Sequence, residues 1–438
     1  MKTFYTPRTA MAVIVANMIG IGVFTSLGFQ LETVQGGVPI LMLWVMGGIM
    51  ALCGAASYAE LGASLPRSGG EYNFLGRIYH PIAGFVSGWI SATIGFAAPI
   101  AAISMAFGAF TIKAVPGIPE GWEKPLAIGL VLFVTFFHGR KRKGSSRLQT
   151  STTLLKIILV FLFCITALLF VPDPQPVRLL PVAGDLSTFI SPAFGVALIY
   201  VSFSYTGWNA ATYISGELEH PQRDLPKVLI FGTGFVMCMY VLLNFVFLKV
   251  APIEAMIGQK EIGYIAANAA LGDLGGRLTA VMLALMLIST VSAMTLAGPR
   301  ALQAIGEDFS ALKLLSRTND DGVPYVAIWL QSAIAIIFIM TSSFKFIMVF
   351  AGSMLAFNSF VAVLGVFVLR FREPDLPRPY KTWAYPITPL VFLIITGFAL
   401  IYTIKENPTL AIFGFSILFA GVLFYFVSKA LERKDSNN

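Results

Sequence analysis

Asn17-Met18-Ile19-Gly20-Ile21-Gly22-Val23-Phe24 lies in the middle of an apolar stretch that runs from Met11 to Gln30. Two glycines one residue apart weaken a helix there, because glycine loses the most backbone freedom on ordering and packs no side chain, about 1 kcal/mol relative to alanine. A second apolar stretch is interrupted in the same way at Ser204-Tyr205-Thr206-Gly207-Trp208-Asn209. Hydrocarbon supplies no hydrogen bonds, so backbone that leaves a helix at membrane depth is tolerated only where protein or a wet cavity covers it. Matched interruptions in the two halves of a chain point to a transporter's binding site. The competing reading is that the glycines let helices pack closely, as small residues do in membrane bundles.

Composition puts the rest of the chain in the bilayer. Of 438 residues, 57% are hydrophobic and 12% charged, with a mean hydropathy of +0.79, far too apolar for an ordinary soluble domain. Windows of about 20 apolar residues give an all-α integral membrane protein with twelve expected spans. They lie near 10–31, 38–64, 82–111, 125–138, 152–171, 189–215, 228–249, 278–299, 324–341, 346–369, 387–404 and 410–428. The fourth is short, bounded by Pro125 and His138, and only Ser342 to Lys345 separates the ninth from the tenth. Twelve spans put both termini on one side. Of the 30 lysines and arginines, 21 fall on that side, 8 on the other, and Lys156 inside a span, so the N- and C-termini are expected in the cytoplasm. The net charge of +8 is then mostly an orientation signal, with no nucleic-acid partner implied. Cys53, Cys164 and Cys238 all fall within expected spans and indicate no disulfide. The first apolar stretch is too long and too interrupted for a cleavable signal.

A helix broken at mid-membrane presents free N–H groups and a positive dipole end from its second half, and free carbonyls from its first. That arrangement suits a zwitterion. A carboxylate would dock on the amides from Gly20 to Val23, and an ammonium on carbonyls near Asn17 to Ile19 and Phe203 to Tyr205. The first span carries no charged side chain between Arg8 and Glu32.

Four ordered motifs resemble the amino acid–polyamine–organocation superfamily, and within it the L-type amino acid transporter family of bacterial type. They are Gly20-Ile21-Gly22-Val23-Phe24, then Ala59-Glu60-Leu61-Gly62 with Pro66-Arg67-Ser68-Gly69-Gly70-Glu71-Tyr72. Phe203-Ser204-Tyr205-Thr206-Gly207-Trp208-Asn209 follows with its continuation to Pro226, and last comes Pro374-Asp375-Leu376-Pro377-Arg378-Pro379-Tyr380-Lys381. The resemblance implies a five-plus-five inverted repeat with helices 1 and 6 discontinuous. Its divisions are residues 1–171 for the first repeat, 172–370 for the second, and 371–438 for spans eleven, twelve and the tail. It also implies sodium-independent amino acid transport. Carried over by position, Gly20, Ile21, Gly22 and Val23 face the substrate carboxylate, Ile19 offers its carbonyl to the ammonium, and Ser204, Tyr205 and Thr206 line the site from the second break. Phe203 is the outer gate and Asn209 a polar contact. Phe203 also reads as a packed core aromatic, and Trp208 as structural.

Lys156 is an ammonium in the hydrocarbon region, which costs about 2.5–3.5 kcal/mol on insertion scales and by default faces the bundle interior. In the superfamily a lysine here reaches between spans one and eight, where sodium-coupled relatives bind their ion; Ser289, Thr290 and Ser292 are its expected hydroxyl partners. Snorkelling toward the nearby loop is the alternative. Two departures from the family pattern, Ile21 and Thr206, add bulk and favour small to medium neutral L-amino acids such as alanine, serine, cysteine and threonine. Larger neutral and cationic amino acids are the runners-up. Exchange is favoured, with proton symport open. Glu217 is expected to cap or form a salt bridge at the cytoplasmic end.

Other classes fit less well. An enzyme would need a nucleophile with its base or a ligand cluster, but no HExxH, GxSxG or P-loop pattern occurs, and no metal or cofactor is called for. A sensor would carry a signalling extension, and a channel a charged ring or repeated filter. The outer loop from Ile112 to Lys124 has no cysteine, so no disulfide-linked glycoprotein subunit is expected. The expected location is the plasma membrane, the inner membrane where there are two.

Overall fold

The computed structural model describes residues 6–139 and 145–435; the side chains of 145–152, 217 and 432–435 lie outside the description, and with them the expectation for Glu217. Helix α1 (Pro7–Met18) starts where Thr6 accepts a hydrogen bond from the Thr9 N–H and Pro7 occupies the first helical position. It stops at Ile19-Gly20-Ile21 and resumes as α2 (Gly22–Gln30). Then come α3 (Gly37–Ser64), the short α4 (Glu71–Ile78), and α5 (Pro81–Ile90), which passes through a π-helical turn at Ser91–Phe96 into α6 (Ala97–Ala114). Next are α7 (Glu123–His138) and α8 (Ser145–Phe170). Helix α9 (Ala183–Phe189) meets α10 (Pro192–Tyr205) at 65°, and after the second break come only α11 (Ala210–Tyr213) and a 3-10 turn. Beyond lie α12 (Pro221–Val250), α13 (Ile253–Met256) and α14 (Ile262–Ala297), the last bent at Gly272 with φ 71°. The chain ends with α15 (Pro299–Asp308), α16 (Tyr325–Thr341), α17 (Phe344–Arg372), α18 (Ile387–Glu406) and α19 (Pro408–Asp435).

Both breaks fall where the glycines put them. Among the described residues, nine helical stretches are long and apolar enough to cross a membrane, ten if the bent pair α9 and α10 counts as one. The fourth and ninth of the twelve expected spans fall short of that length, with α7 at 16 residues and α16 at 17. Glu123 and Lys124 begin α7 and Pro324 limits α16, so neither apolar run extends further. The protein is a multi-pass, all-helical membrane protein.

The broken helices are the centre of the bundle. The apolar window of α1 and α2 is 83% buried, whereas that of α19 is 22% buried and faces outward. Around α1, α2 and α10 pack α3, α8, α12, α14 and α17. The outward faces carry large exposed apolar side chains, Phe133, Phe137, Leu169, Phe415 and Phe419 among them, a surface stable against lipid tails and not against water.

Motif residues close one end of the bundle. Glu60, only 2% exposed at its side chain, receives the Arg370 guanidinium at 2.7 Å and Arg378 at 3.5 Å. The Thr382 N–H also donates to Glu60, at 2.7 Å. Arg67 and the Tyr72 hydroxyl both bond Asp308, and burial together with that carboxylate pushes the Tyr72 hydroxyl's pKa up. Arg77 pairs bidentately with Glu373, the two side chains 52% and 31% exposed. Half-exposed pairs are weak, so Arg77→Ala should cost less than about 1 kcal/mol and leave thermal stability in detergent nearly unchanged. A large drop in melting temperature would show that this pair carries the closure.

Candidate functional site: two broken helices packed break against break

Gly207 has φ +99°, a backbone shape that side-chain-bearing residues rarely adopt, and a Cβ there would lie 2.8 Å from Asn17 Cβ and 2.9 Å from its carbonyl carbon. The second break thus rests on the end of α1. Reciprocally, a Cβ on Gly22 would lie 2.5 Å from Ser204 Cα, so the start of α2 rests on the end of α10. The Ser26 and Ser204 hydroxyls, 3.0 Å apart, join the same two helices. At Gly20 the nearest atom to an added Cβ is Thr290 Cγ2 at 3.7 Å, an ordinary contact. Close packing therefore accounts for Gly22 and Gly207 and does not account for Gly20.

Several of the carbonyls at the breaks have donors. Met18 C=O accepts from the Gly20 N–H at 2.7 Å and from the Tyr240 hydroxyl. That hydroxyl also lies 3.1 Å from the Ser204 carbonyl, so one phenol, with a single proton to share, sits between the two breaks. Phe203 C=O accepts the Thr206 N–H at 3.1 Å and its hydroxyl at 2.6 Å. The N–H groups of Gly22 and Val23 open α2, where a helix leaves its first donors without internal partners.

Lys156 does not snorkel. Its side chain is buried, with Nζ 2.6 Å from Thr290 Oγ1 and 3.3 Å from the Ile19 carbonyl. The ammonium therefore joins α8 to the first break and to α14. Of the expected hydroxyls, Thr290 is the partner. Ser292 is not: its Oγ lies 2.6 Å from His138 Nε2, turned toward α7. Ser289 is half-buried on the turn that carries Thr290.

A cavity of about 60 Å³ adjoins the second break. Thr206, Gly207, Trp208, Asn209 and Tyr213 of the second break line it together with Asn17, Phe96, Met294 and Ser359. Of the ten expected binding residues, the structure places Thr206 and Asn209 on this cavity. Ile19, Gly20, Ile21, Gly22, Val23, Phe203, Ser204 and Tyr205 are buried where the two breaks meet the core. The Thr206 hydroxyl is turned back on its own helix end, and the Tyr205 hydroxyl donates to the Trp44 carbonyl at 3.0 Å. Phe203 packs in the core against Gly352 of α17.

One site group was not expected from the sequence. Glu71, 2% exposed, accepts from Asn209 Nδ2 at 2.6 Å and from the hydroxyls of Tyr58 at 2.9 Å and Tyr213 at 2.5 Å. Tyr213 in turn lies 3.1 Å from Ser91 Oγ in the π-helical turn. The motif around Glu71 was visible in the sequence, but nothing local says that its carboxylate turns inward to meet the second break.

A family model described as amino acid permease matches residues 6–428. The chain belongs to that family, within the amino acid–polyamine–organocation superfamily. It is 28% identical to the mouse large neutral amino acids transporter small subunit 2, over 97% of this chain and 81% of that one. It is 27% identical to the serine/threonine exchanger SteT of Bacillus subtilis, covering 98% of this permease and 96% of the relative. The mouse Asc-type amino acid transporter 1 is 26% identical over 96% and 80% of the two chains. Family and relatives are transporters and not enzymes, in agreement with amino acid transport by this permease.

Proposed function

We propose that this permease exchanges small to medium neutral L-amino acids, with alanine, serine, cysteine and threonine favoured, across the plasma membrane without sodium. The observation that carries the reading is the pair of broken helices packed break against break beside a cavity, Gly207 on Asn17 and Gly22 on Ser204. Two rigid halves meeting at one irregular contact are suited to rocking past each other, the movement that alternating access requires. In this reading the chain has twelve spans, with α7 and α16 as the two short ones, and both termini are cytoplasmic. Residues 1–171 and 172–370 are the inverted repeats, and 371–438 is the appended part. The donors of Ile21, Gly22 and Val23 take the substrate carboxylate when Gly22 and Ser204 separate, the polar wall at Asn209 takes the other end, and Phe203 closes the outer side.

Independence from sodium is supported by Lys156, whose terminal nitrogen occupies the space between Ile19 and Thr290 where a bound cation would otherwise tie the first break to α14. Small substrates are supported by the bulk of Ile21 and Thr206. Exchange is supported by the relative named as a serine/threonine exchanger.

The test is uptake of radiolabelled amino acids into proteoliposomes, with and without internal amino acid and with and without an inward proton gradient. Serine and alanine uptake should require internal amino acid and be indifferent to sodium. Gradient-driven uptake into empty vesicles would replace exchange with proton symport. Preference for large neutral or cationic amino acids would replace the substrate assignment.

A further inference from the structure

Glu71 is buried in the bundle, and its three hydrogen-bond partners among the described residues are neutral donors: Tyr58 on α3, and Asn209 and Tyr213 at the two ends of α11. The neighbouring charges are engaged elsewhere. Glu60, on the helix that carries Tyr58, is held by Arg370 and Arg378, and Arg67 is held by Asp308. Every group that faces the carboxyl oxygens presents a donor, two phenol hydroxyls and one amide nitrogen. Asn209 lines the cavity, and with Nδ2 committed to Glu71 its Oδ1, which has no hydrogen-bond partner among the described residues, is the end of the amide left for a ligand. Among the carbonyls at the breaks, those of Met18, Ile19 and Phe203 already have donors, from Tyr240, Lys156 and Thr206.

We propose that Glu71 is a positioning residue that sets the hydrogen-bond polarity of the cavity wall. It holds the Asn209 amide with its carbonyl outward, as the acceptor for a substrate's ammonium or side-chain hydroxyl. The inference rests on the amino acid transport reading and deepens it. A substrate donor satisfies Asn209 Oδ1, whereas an amide turned the other way would set NH2 against ammonium. Glu71 itself touches no substrate; it acts through Asn209.

The experiment is the concentration dependence of serine exchange in proteoliposomes holding wild-type protein, Glu71→Gln, the double variant Glu71→Gln with Asn209→Asp, and Asn209→Ala. In Glu71→Gln an amide faces an amide and Asn209 is free to turn, so KM for serine should rise about tenfold, the scale of one charge-assisted hydrogen bond, with a much smaller change in turnover. In the double variant the introduced glutamine donates to the introduced aspartate, whose second oxygen faces the cavity, and KM should return to within about threefold of wild type. A role confined to holding the fold together predicts no such return. Wild-type uptake with an unchanged KM in Glu71→Gln overturns the inference alone, and so does a double variant no better than the single. Asn209→Ala keeps Glu71 and its tyrosine donors, and should raise KM by the same factor; a wild-type KM there overturns the proposal however Glu71→Gln folds. A wild-type protein without amino acid uptake overturns the transport reading and the inference with it.

Discussion

Lys156→Met should leave the protein folded and lower amino acid exchange by more than about tenfold, the factor that one lost charge-assisted contact is worth. The two halves of that expectation have separate causes. The ammonium is buried and its partners are neutral oxygens, Thr290 Oγ1 at 2.6 Å and the Ile19 carbonyl at 3.3 Å. Replacing a desolvated charge with an apolar side chain of similar length is often neutral or stabilising, so melting temperature in detergent should fall little or rise. Thr290 keeps its second bond, to the Met286 carbonyl at 3.2 Å. The Ile19 carbonyl loses the donor that ties the first break to α8 and α14. If movement of that break is what carries substrate across, the loss appears in turnover and not in stability. An uptake rate equal to wild type, with intact folding, would reduce Lys156 to a packing residue and remove the argument for sodium independence.

Lys156 also shows what a sequence can and cannot place. A single ammonium within an apolar run is conspicuous, and its interior orientation follows from cost alone. Which hydroxyl it meets depends on the rotation of α14 about its axis, and about one hundred degrees per residue separates Thr290 from its neighbours only once the packing is known. Ser292 consequently went to His138. The breaks themselves were legible because glycine acts locally. The fourth span was legible as short because Pro125 and His138 bound it, whereas the ninth was marked only by the short turn from Ser342 to Lys345 that separates it from the tenth.

Glu71 lies at the opposite limit. Its residue type and motif were in view, yet a glutamate after two glycines and before a tyrosine reads equally well as a solvated loop residue. Its partners are 13, 138 and 142 residues away along the chain. No periodicity reports such a meeting. The same holds for Tyr240, which sets its hydroxyl between the two breaks from the middle of α12, an apolar helix in which a tyrosine draws no notice. Of the freed carbonyls that were expected to wait for a substrate ammonium, those of Met18, Ile19 and Phe203 have internal donors, as burial demands of a polar group.

Gly20 and Gly22 look equivalent in the sequence, and substituting either would be expected to damage substrate binding and spare folding. The structure separates them. An alanine methyl at position 22 would lie 2.5 Å from Ser204 Cα and 2.6 Å from its hydroxyl, against backbone that cannot swing aside. The start of α2 and the end of α10 would have to part, breaking the Ser26 to Ser204 contact with them. Overpacking of that kind costs about 1–3 kcal/mol, so Gly22→Ala should lower both melting temperature and the yield of folded protein. It should also lower exchange beyond what the loss of protein explains, because the contact it pries open is the one proposed to open and close during transport. At position 20 the methyl meets nothing closer than Thr290 Cγ2, at 3.7 Å. Gly20→Ala should therefore stay within about 0.5 kcal/mol of wild type in stability, as substitutions without a clash do. Its effect should fall on KM, since the residue borders the donors that take the carboxylate. Thermal melts of both variants, paired with exchange kinetics, decide the matter. Equal destabilisation by the two alanines would mean that the breaks do not pack as described, and a Gly22→Ala protein with wild-type stability and rate would detach that contact from transport.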